Sequence, residues 1–322
     1  ITPNGTGAIQ LDGLSWPTAD GSANQVLKTD GSGALSWTAA SSGASNVNGL
    51  SDALIEDNSL YLGQDPSSTT STAEYNLSLG ATALDAVTTG DGNTAVGFNA
   101  LTANTSGEGN VAIGYNTLAA NTTASQNLAM GYNALAIQTT DGEYNTAVGN
   151  YTLDNNTIGD RNVALGYVAL TANSEGSKNT GIGTSSSKAN TTGSQNTSVG
   201  NSSLYSNTSA SYNTAIGARA LYNANRTADT DGYNTALGYN AGNTGTNDIT
   251  TGNKNTLLGA STAASAAAGT NQTIIGYGAS GVANNSVTIG NSDVTAWYPG
   301  ADNTADLGSS SVEFKDLYID GT

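Results

Sequence analysis

One phrase governs the chain. From about residue 75 it keeps returning to an Asn, three mostly apolar residues and a Gly, as in Asn93-Thr94-Ala95-Val96-Gly97 and Asn110-Val111-Ala112-Ile113-Gly114. The anchoring glycines are Gly80, Gly97, Gly114, Gly131, Gly149, Gly166, Gly183, Gly200, Gly217, Gly238, Gly259, Gly276 and Gly290, at a spacing that is mostly 17 residues. Thirteen copies at so regular a period make the protein quasi-one-dimensional, with each unit contacting only its neighbours.

A unit of 17 residues is too short for a helical hairpin. Its core, such as Val111-Ala112-Ile113, reads as a short strand with alternating faces, and the Gly that follows permits a tight bend. A second short element (Tyr115 to Leu118) and a polar loop complete the unit. The expected fold is therefore all-β: a parallel β-solenoid, or β-roll, of about 13 coils with a 17-residue period. Small β-rich segments flank it at the N- and C-terminal ends. The expected divisions are 1–74 (hairpin and linker), 75–294 (solenoid) and 295–322 (a C-terminal cap). Near the start, Val26–Thr29 and Ala34–Trp37 flank Asp30-Gly31-Ser32-Gly33, a hairpin signal.

The column before each Gly is apolar throughout: Val96, Ile113, Met130, Val148, Leu165, Ile182, Val199 and Ile216 among others. Read by hydrophobicity, it is the inward core ladder, closed on the far wall by a Leu column (Leu84, Leu101, Leu118, Leu135, Leu153, Leu170, Leu204, Leu221). The residue between the inward positions then points outward, and it is small: Ala95, Ala112, Ala129, Ala147, Ala164, Ala215 and Ala236. A coil with so little interior is not stable alone, at ~1.5–3 kcal/mol per buried side chain against ~1.5 kcal/mol of ordering entropy per residue. The Ala column is accordingly expected to be the seam of a homo-oligomer packed along the rod. The Asn column (Asn93, Asn110, Asn127 and equivalents) is expected to stack as amide ladders that satisfy turn backbone. The aromatic column (Phe98, Tyr115, Tyr132, Tyr167, Tyr239, Tyr277) is expected to pack rather than to form a ligand platform.

Composition removes most chemistry. The chain has 322 residues with no His and no Cys, so imidazole and thiolate catalysis, thiolate metal sites and disulfides are excluded. Eight Lys and Arg against 25 Asp and Glu leave a net charge of −17, which repels nucleic-acid backbones. No apolar run approaches the roughly 18 residues of a membrane span, and Ile1 to Gly13 lack the regions of a signal peptide. Acidic residues such as Glu143, Asp229 and Asp231 sit in polar loops without the rigid spacing of a glycosidase pair. Asp-Gly turns at Asp91, Asp141 and Asp231 are weak calcium candidates, because the Gly-Gly-x-Gly-x-Asp repeat is absent. No enzyme, cofactor or metal site is expected.

The repeated Asn-Thr-Ala-Val-Gly-Phe-Asn-Ala-Leu phrase resembles the head repeats of YadA-type trimeric autotransporter adhesins, and more closely the shaft repeats of bacteriophage tail fibres. The resemblance covers about residues 75–294 and implies left-handed parallel β-rolls assembled as homotrimers. In the adhesin heads the period is 14 residues, a spacing matched here only by the last coil, Ser286 to Gly290. At the N-terminal end, Trp16 to Gly31 looks like a module of phage fibre and virion proteins. At the other, Thr304 to Tyr318 resembles the segment that precedes the self-cleaving intramolecular chaperone (endosialidase type) of phage fibres. Two explanations for the missing chaperone stay open: removal by autoproteolysis, or a chain that stops short of it.

These readings converge on a structural and adhesive virion fibre that projects to a host surface receptor. Its expected partners are its own copies, other virion tail proteins, and a host surface glycan or outer-membrane receptor, with no nucleic acid and no membrane insertion. The expected location is the virion. The alternatives are a passenger fragment of a trimeric autotransporter on the bacterial surface, and a fibre with polysaccharide depolymerase activity. Ice binding by the Thr column is a remote fourth. Receptor contact is sought where the repeat is broken. The period lengthens to 21 residues twice, with Arg226 and Lys254 as rare cations, and Trp297-Tyr298 follow the last coil. For Trp297 and Tyr298 a capping role is the preferred reading.

Overall fold

A computed structural model describes residues 53–63, 72–227 and 231–298 without a break, with shorter stretches at 10–11, 14–15, 21–23 and 25–39 and a few isolated positions. Most of the proposed C-terminal segment, together with Trp16 and Asp229, lies outside the described residues. Near the N-terminus β1 (Gln10–Leu11) pairs with β2 (Leu14–Ser15). The expected hairpin is present: β3 (Gln25–Thr29) runs antiparallel to β4 (Leu35–Ala39). Its turn is fastened by Asp30, whose Oδ1 accepts from the backbone N–H of Ser32 at 2.8 Å and of Ala34 at 3.0 Å. Those bonds hold its carboxyl below the ordinary value.

The rest is one sheet of 15 strands, β5 to β19 in sequence order. It opens on an antiparallel pair, β5 (Ala53–Glu56) and β6 (Ser59–Leu62). Stacking of coils thus begins upstream of residue 75. From β6 onward every neighbour is parallel and in register. The next rungs are β7 (Leu77–Leu79), β8 (Thr94–Val96), β9 (Val111–Ile113) and β10 (Leu128–Met130). They continue through β11 (Thr146–Val148), β12 (Val163–Leu165), β13 (Thr180–Ile182), β14 (Thr197–Val199) and β15 (Thr214–Ile216). The last are β16 (Thr235–Leu237), β17 (Thr256–Leu258), β18 (Gln272–Ile275) and β19 (Ser286–Ile289). The solenoid has about 13 turns of about 17 residues. At ~4.8 Å per rung it extends roughly 60 Å.

Each coil holds one strand, not two. The segment after the Gly runs as turns because two of its residues take left-handed backbone, for example Asn99 (φ 55°) and Leu101 (φ 52°), which no strand accommodates. Inter-coil hydrogen bonds nevertheless continue through it, as from Leu101 N to Thr117 O at 3.0 Å and Thr105 N to Thr122 O at 2.9 Å. The anchoring Gly is required by sterics. At Gly97 φ is 131°, and a Cβ would stand 2.4 Å from the carbonyl oxygen of Gly114 in the next coil.

The strand parity is the reverse of the expectation. Ala95, Ala112, Ala129, Ala147, Ala164, Ala215 and Ala236 are fully buried within the single chain, so they are core and not an outward seam. Val96, Ile113, Met130, Val148, Leu165, Ile182, Val199 and Ile216, expected as the core ladder, lie on the outer face and are half-buried or exposed. The reason is width. The middle strand residue faces the Leu of the preceding coil, and at Gly181 an added Cβ would already lie 3.0 Å from Leu170 Cγ. A small residue opposite Leu fills the interior, and Val and Ile on both flanks do not fit there.

Departures from the Ala–Leu pairing are matched by a change in the facing residue. Where the Leu position becomes Gly242, the facing strand residue becomes Leu257, whose Cδ2 would be 3.7 Å from a Cβ at Gly242. Ala263 is likewise followed by the buried Ile274. Where it becomes Ser187, the facing residue is Ser198, and their hydroxyls lie 2.7 Å apart. A polar pair replaces an apolar one without leaving either group unsatisfied.

Two amide ladders run beside this core. The expected one joins Asn76, Asn93, Asn110, Asn127 and their successors: the N–H of Asn93 donates to Asn76 Oδ1 at 2.8 Å, and Asn93 Nδ2 donates to Gly107 O at 2.9 Å. A second ladder, not anticipated, includes Asn104, Asn121, Asn173, Asn190 and Asn207, with Asn121 Nδ2 donating to Asn104 Oδ1 at 2.8 Å and to Ala124 O at 3.0 Å. Both sets are buried. In a narrow coil whose turns expose backbone carbonyls, the Asn side chain supplies the donor that regular secondary structure would otherwise provide.

Candidate functional site

Three surfaces depart from an evenly solvated coil. The first is the outer face of the stacked strands. Its column before the Gly is apolar in every coil and ends exposed at both extremes, with Leu79 48% and Ile289 43% accessible. The flanking column adds Leu77, Val111, Leu128, Val163 and Val287, with Thr at most other rungs. An unbroken apolar stripe along a parallel sheet is unusual for a strand face left to water.

The second surface is the aromatic edge that follows the glycines. Phe98 and Tyr115 stack at 5.3 Å between ring centroids, and Tyr115 and Tyr132 at 5.1 Å and 5°. Tyr132 meets Tyr151 edge-on at 5.3 Å, and Tyr151 meets Tyr167 at 6.4 Å. Burial against these neighbours pushes the Tyr151 phenol up from its ordinary value. Phe98, Tyr115 and Tyr132 thus stack, whereas Tyr239 (56% accessible) and Tyr277 (74%), also in the expected column, meet no other ring among the described residues.

The third surface lies where the period lengthens. Arg226, expected as a receptor contact, instead clamps the coil: its Nη1 donates to Thr251 O at 2.6 Å. Lys254 is exposed and takes left-handed backbone, its N–H donating to Gly232 O at 2.9 Å. Tyr222, Asn223, Asn243 and Asp248 fall in the two lengthened stretches, 222–232 and 243–254, and with Arg219, which the sequence did not single out, and neighbouring residues they line a cleft of about 340 Å³. The signal for it was present: the fifth position after the Gly reads Lys188, Tyr205, Tyr222 and then Asn243, a break in an aromatic column at the first long repeat.

Trp297 (66% accessible) and Tyr298 (89%) are exposed and, with Ile289, border a shallow recess of about 380 Å³. Asp141, Glu143 and Asp160 line another recess, where Asp160 pairs with Arg161 and the Arg161 guanidinium lies 5.3 Å from the Tyr144 ring centroid. Of the Asp-Gly turns, Asp91 Oδ1 accepts from Glu74 N at 2.8 Å, and Asp231 Oδ2 accepts from the Tyr233 hydroxyl at 3.2 Å. Among the described residues no group of three or more acidic side chains is arranged to hold a metal ion. Nor is any helix among them long and apolar enough to cross a membrane. No protein-family model, curated protein or solved structure matches the chain.

Proposed function

We propose that the chain is the shaft of a homotrimeric virion fibre, a phage tail fibre that projects to and binds a host-cell surface receptor. One observation carries this reading: the apolar column on the outer strand face, continuous over all thirteen coils, which a lone chain leaves against water. Covering half of one Val or Ile side chain recovers on the order of 1 kcal/mol, and the gain repeats at every coil. The seam of the trimer is thus the Val96–Ile113–Met130 column and its flanking Leu, Val and Thr residues, with the Ala column serving the interior. Three chains, rather than two, follow from the resemblance to tail-fibre shafts and adhesin heads. In a rigid trimer, receptor contacts are presented in threes, and avidity raises weak single contacts by roughly 10²–10⁴.

The test is the mass of the purified protein by light scattering together with its adsorption to host cells. The reading expects three times the 32.1 kDa chain mass and saturable adsorption that competes with virion attachment. A monodisperse single chain that fails to adsorb contradicts it.

A further inference from the structure

A pair of stacked rings on the turn side of the solenoid ends at Tyr222, over which the Arg219 guanidinium lies. Lys188, Tyr205, Tyr222 and Asn243 occupy the same place in four successive coils. The Lys188 ammonium sits 5.6 Å from the Tyr205 ring centroid, and Tyr205 and Tyr222 stack at 4.8 Å with planes 6° apart. At the next step an amide replaces the ring, the repeat lengthens to 21 residues, and the cleft of about 340 Å³ opens.

Its polar groups are few and fixed. Asp248 Oδ1 accepts from Gly245 N at 2.7 Å, and its Oδ2 accepts from Asn223 Nδ2 at 2.9 Å. Asn223 Nδ2 also donates to Asn243 Oδ1 at 3.0 Å. Each carboxylate oxygen keeps acceptor capacity for a further donor. The Arg219 guanidinium lies 5.4 Å from the Tyr222 ring centroid and takes part in no ion pair among the described residues. A guanidinium without a carboxylate partner is a local place for an anionic group, against the net charge of −17 of the whole chain.

We propose that this cleft binds a pyranose that carries a carboxylate. Its carboxylate meets the planar fork of Arg219, which is held over the Tyr222 ring and matches carboxylate geometry. Its hydroxyls donate to Asp248 and exchange hydrogen bonds with the carboxamides of Asn223 and Asn243. A concave site with one cation held over an aromatic ring and a small set of oriented polar groups is the arrangement that fixes a small polar ligand. The inference deepens the adhesive reading and rests on it, naming the class of receptor chemistry. None of the cleft residues belongs to the stacked strands, so cleft and seam are separable by mutation.

The experiment presents the intact chain to immobilised oligosaccharides of galacturonic acid and, at equal length, of galactose, over a series of salt concentrations. The acidic sugar is expected to bind, more weakly as salt rises, with the neutral one weaker by about tenfold. Asn243→Tyr places a ring in the cleft, and Tyr222→Leu keeps an apolar contact with Tyr205 while removing the ring that holds Arg219. Each is expected to lower binding by about tenfold, with the light-scattering mass and melting temperature of the parent retained. Arg219→Gln is expected to abolish the preference for the acidic sugar. No binding by a chain of full assembled mass overturns the cleft and leaves the fibre reading standing, as does undiminished binding by Asn243→Tyr. Sugar binding by a chain that scatters as a monomer supports the cleft and contradicts the fibre reading.

Discussion

At the level of single residues, the solenoid is specified by positions where almost nothing else fits. Gly114, at φ 134° with the Gly131 carbonyl oxygen 2.5 Å from an added Cβ, is one. Ala112, enclosed in the coil, is another. Gly114→Ala and Ala112→Leu are each expected to destabilise the chain by about 1–3 kcal/mol or more in denaturant unfolding. Ile113→Ala, one residue from both, is expected to leave the fold of the coil intact, because Ile113 lies on the outer face. Equal damage from all three would restore the opposite parity. Asp154 supplies a pH test. Burial raises its carboxyl from the ordinary 3.8, although the Thr171 hydroxyl donates to it and acts the other way. A raised value means that protonation favours the fold; this contribution is complete below the unfolded-state value and is lost as pH rises through the folded-state value. Asp154→Asn is therefore expected to raise the melting temperature at neutral pH and to change it little near about pH 3. A lower melting temperature for the variant at neutral pH would contradict that.

At the level of the coil, the period, the Gly bend, the Leu wall and the first Asn ladder were all legible in the sequence, because each is an identity repeated in one column. Parity was not. A strand of three residues has two solutions, one inward side chain or two, and hydrophobicity alone favours Val and Ile inside. The signal that decides between them is paired replacement: Gly242 with Leu257, and Ser187 with Ser198, show which strand residue faces the Leu position. The first pair exchanges volume across adjacent coils and the second shares a hydrogen bond across them, which only facing side chains do. The second amide ladder was hidden for a different reason. Asn104 and Asn121 sit in a polar loop, where Asn needs no explanation until the loop is seen to be buried. The facing geometry predicts a rescue. Leu204→Ala is expected to cost about 2–5 kcal/mol by opening a cavity. Adding Ala215→Leu in the facing strand is expected to recover part of that loss, reproducing the natural Gly242–Leu257 arrangement. Strictly additive losses in a double-mutant cycle would show that the two residues do not share a space.

For the whole molecule, correct parity relocates the surface by which copies associate. A coil whose own apolar interior is commonly one Leu with one or two Ala gains from covering its outer apolar column, and the column runs the length of the stack. Charge placed in that column acts on assembly and not on the coil. Ile113→Asp combined with Ile182→Asp is expected to separate the chains while preserving the β-sheet circular dichroism of each. The candidate cleft was only partly legible: the long repeats pointed to its neighbourhood, but Arg226 drew attention as a rare cation and proves to be a clamp. Arg219 was equally rare in the sequence, and its place beside the terminal Tyr222 ring emerges only from the stacking of coils.

The mass of the assembled particle by sedimentation equilibrium, measured on the parent and on the double variant at equal concentration, bears on all of this at once. The account predicts three chains of 32.1 kDa for the parent and one for the variant, with both folded. A parent that sediments as one folded chain, or a variant that stays assembled with Asp at both rungs, would contradict it.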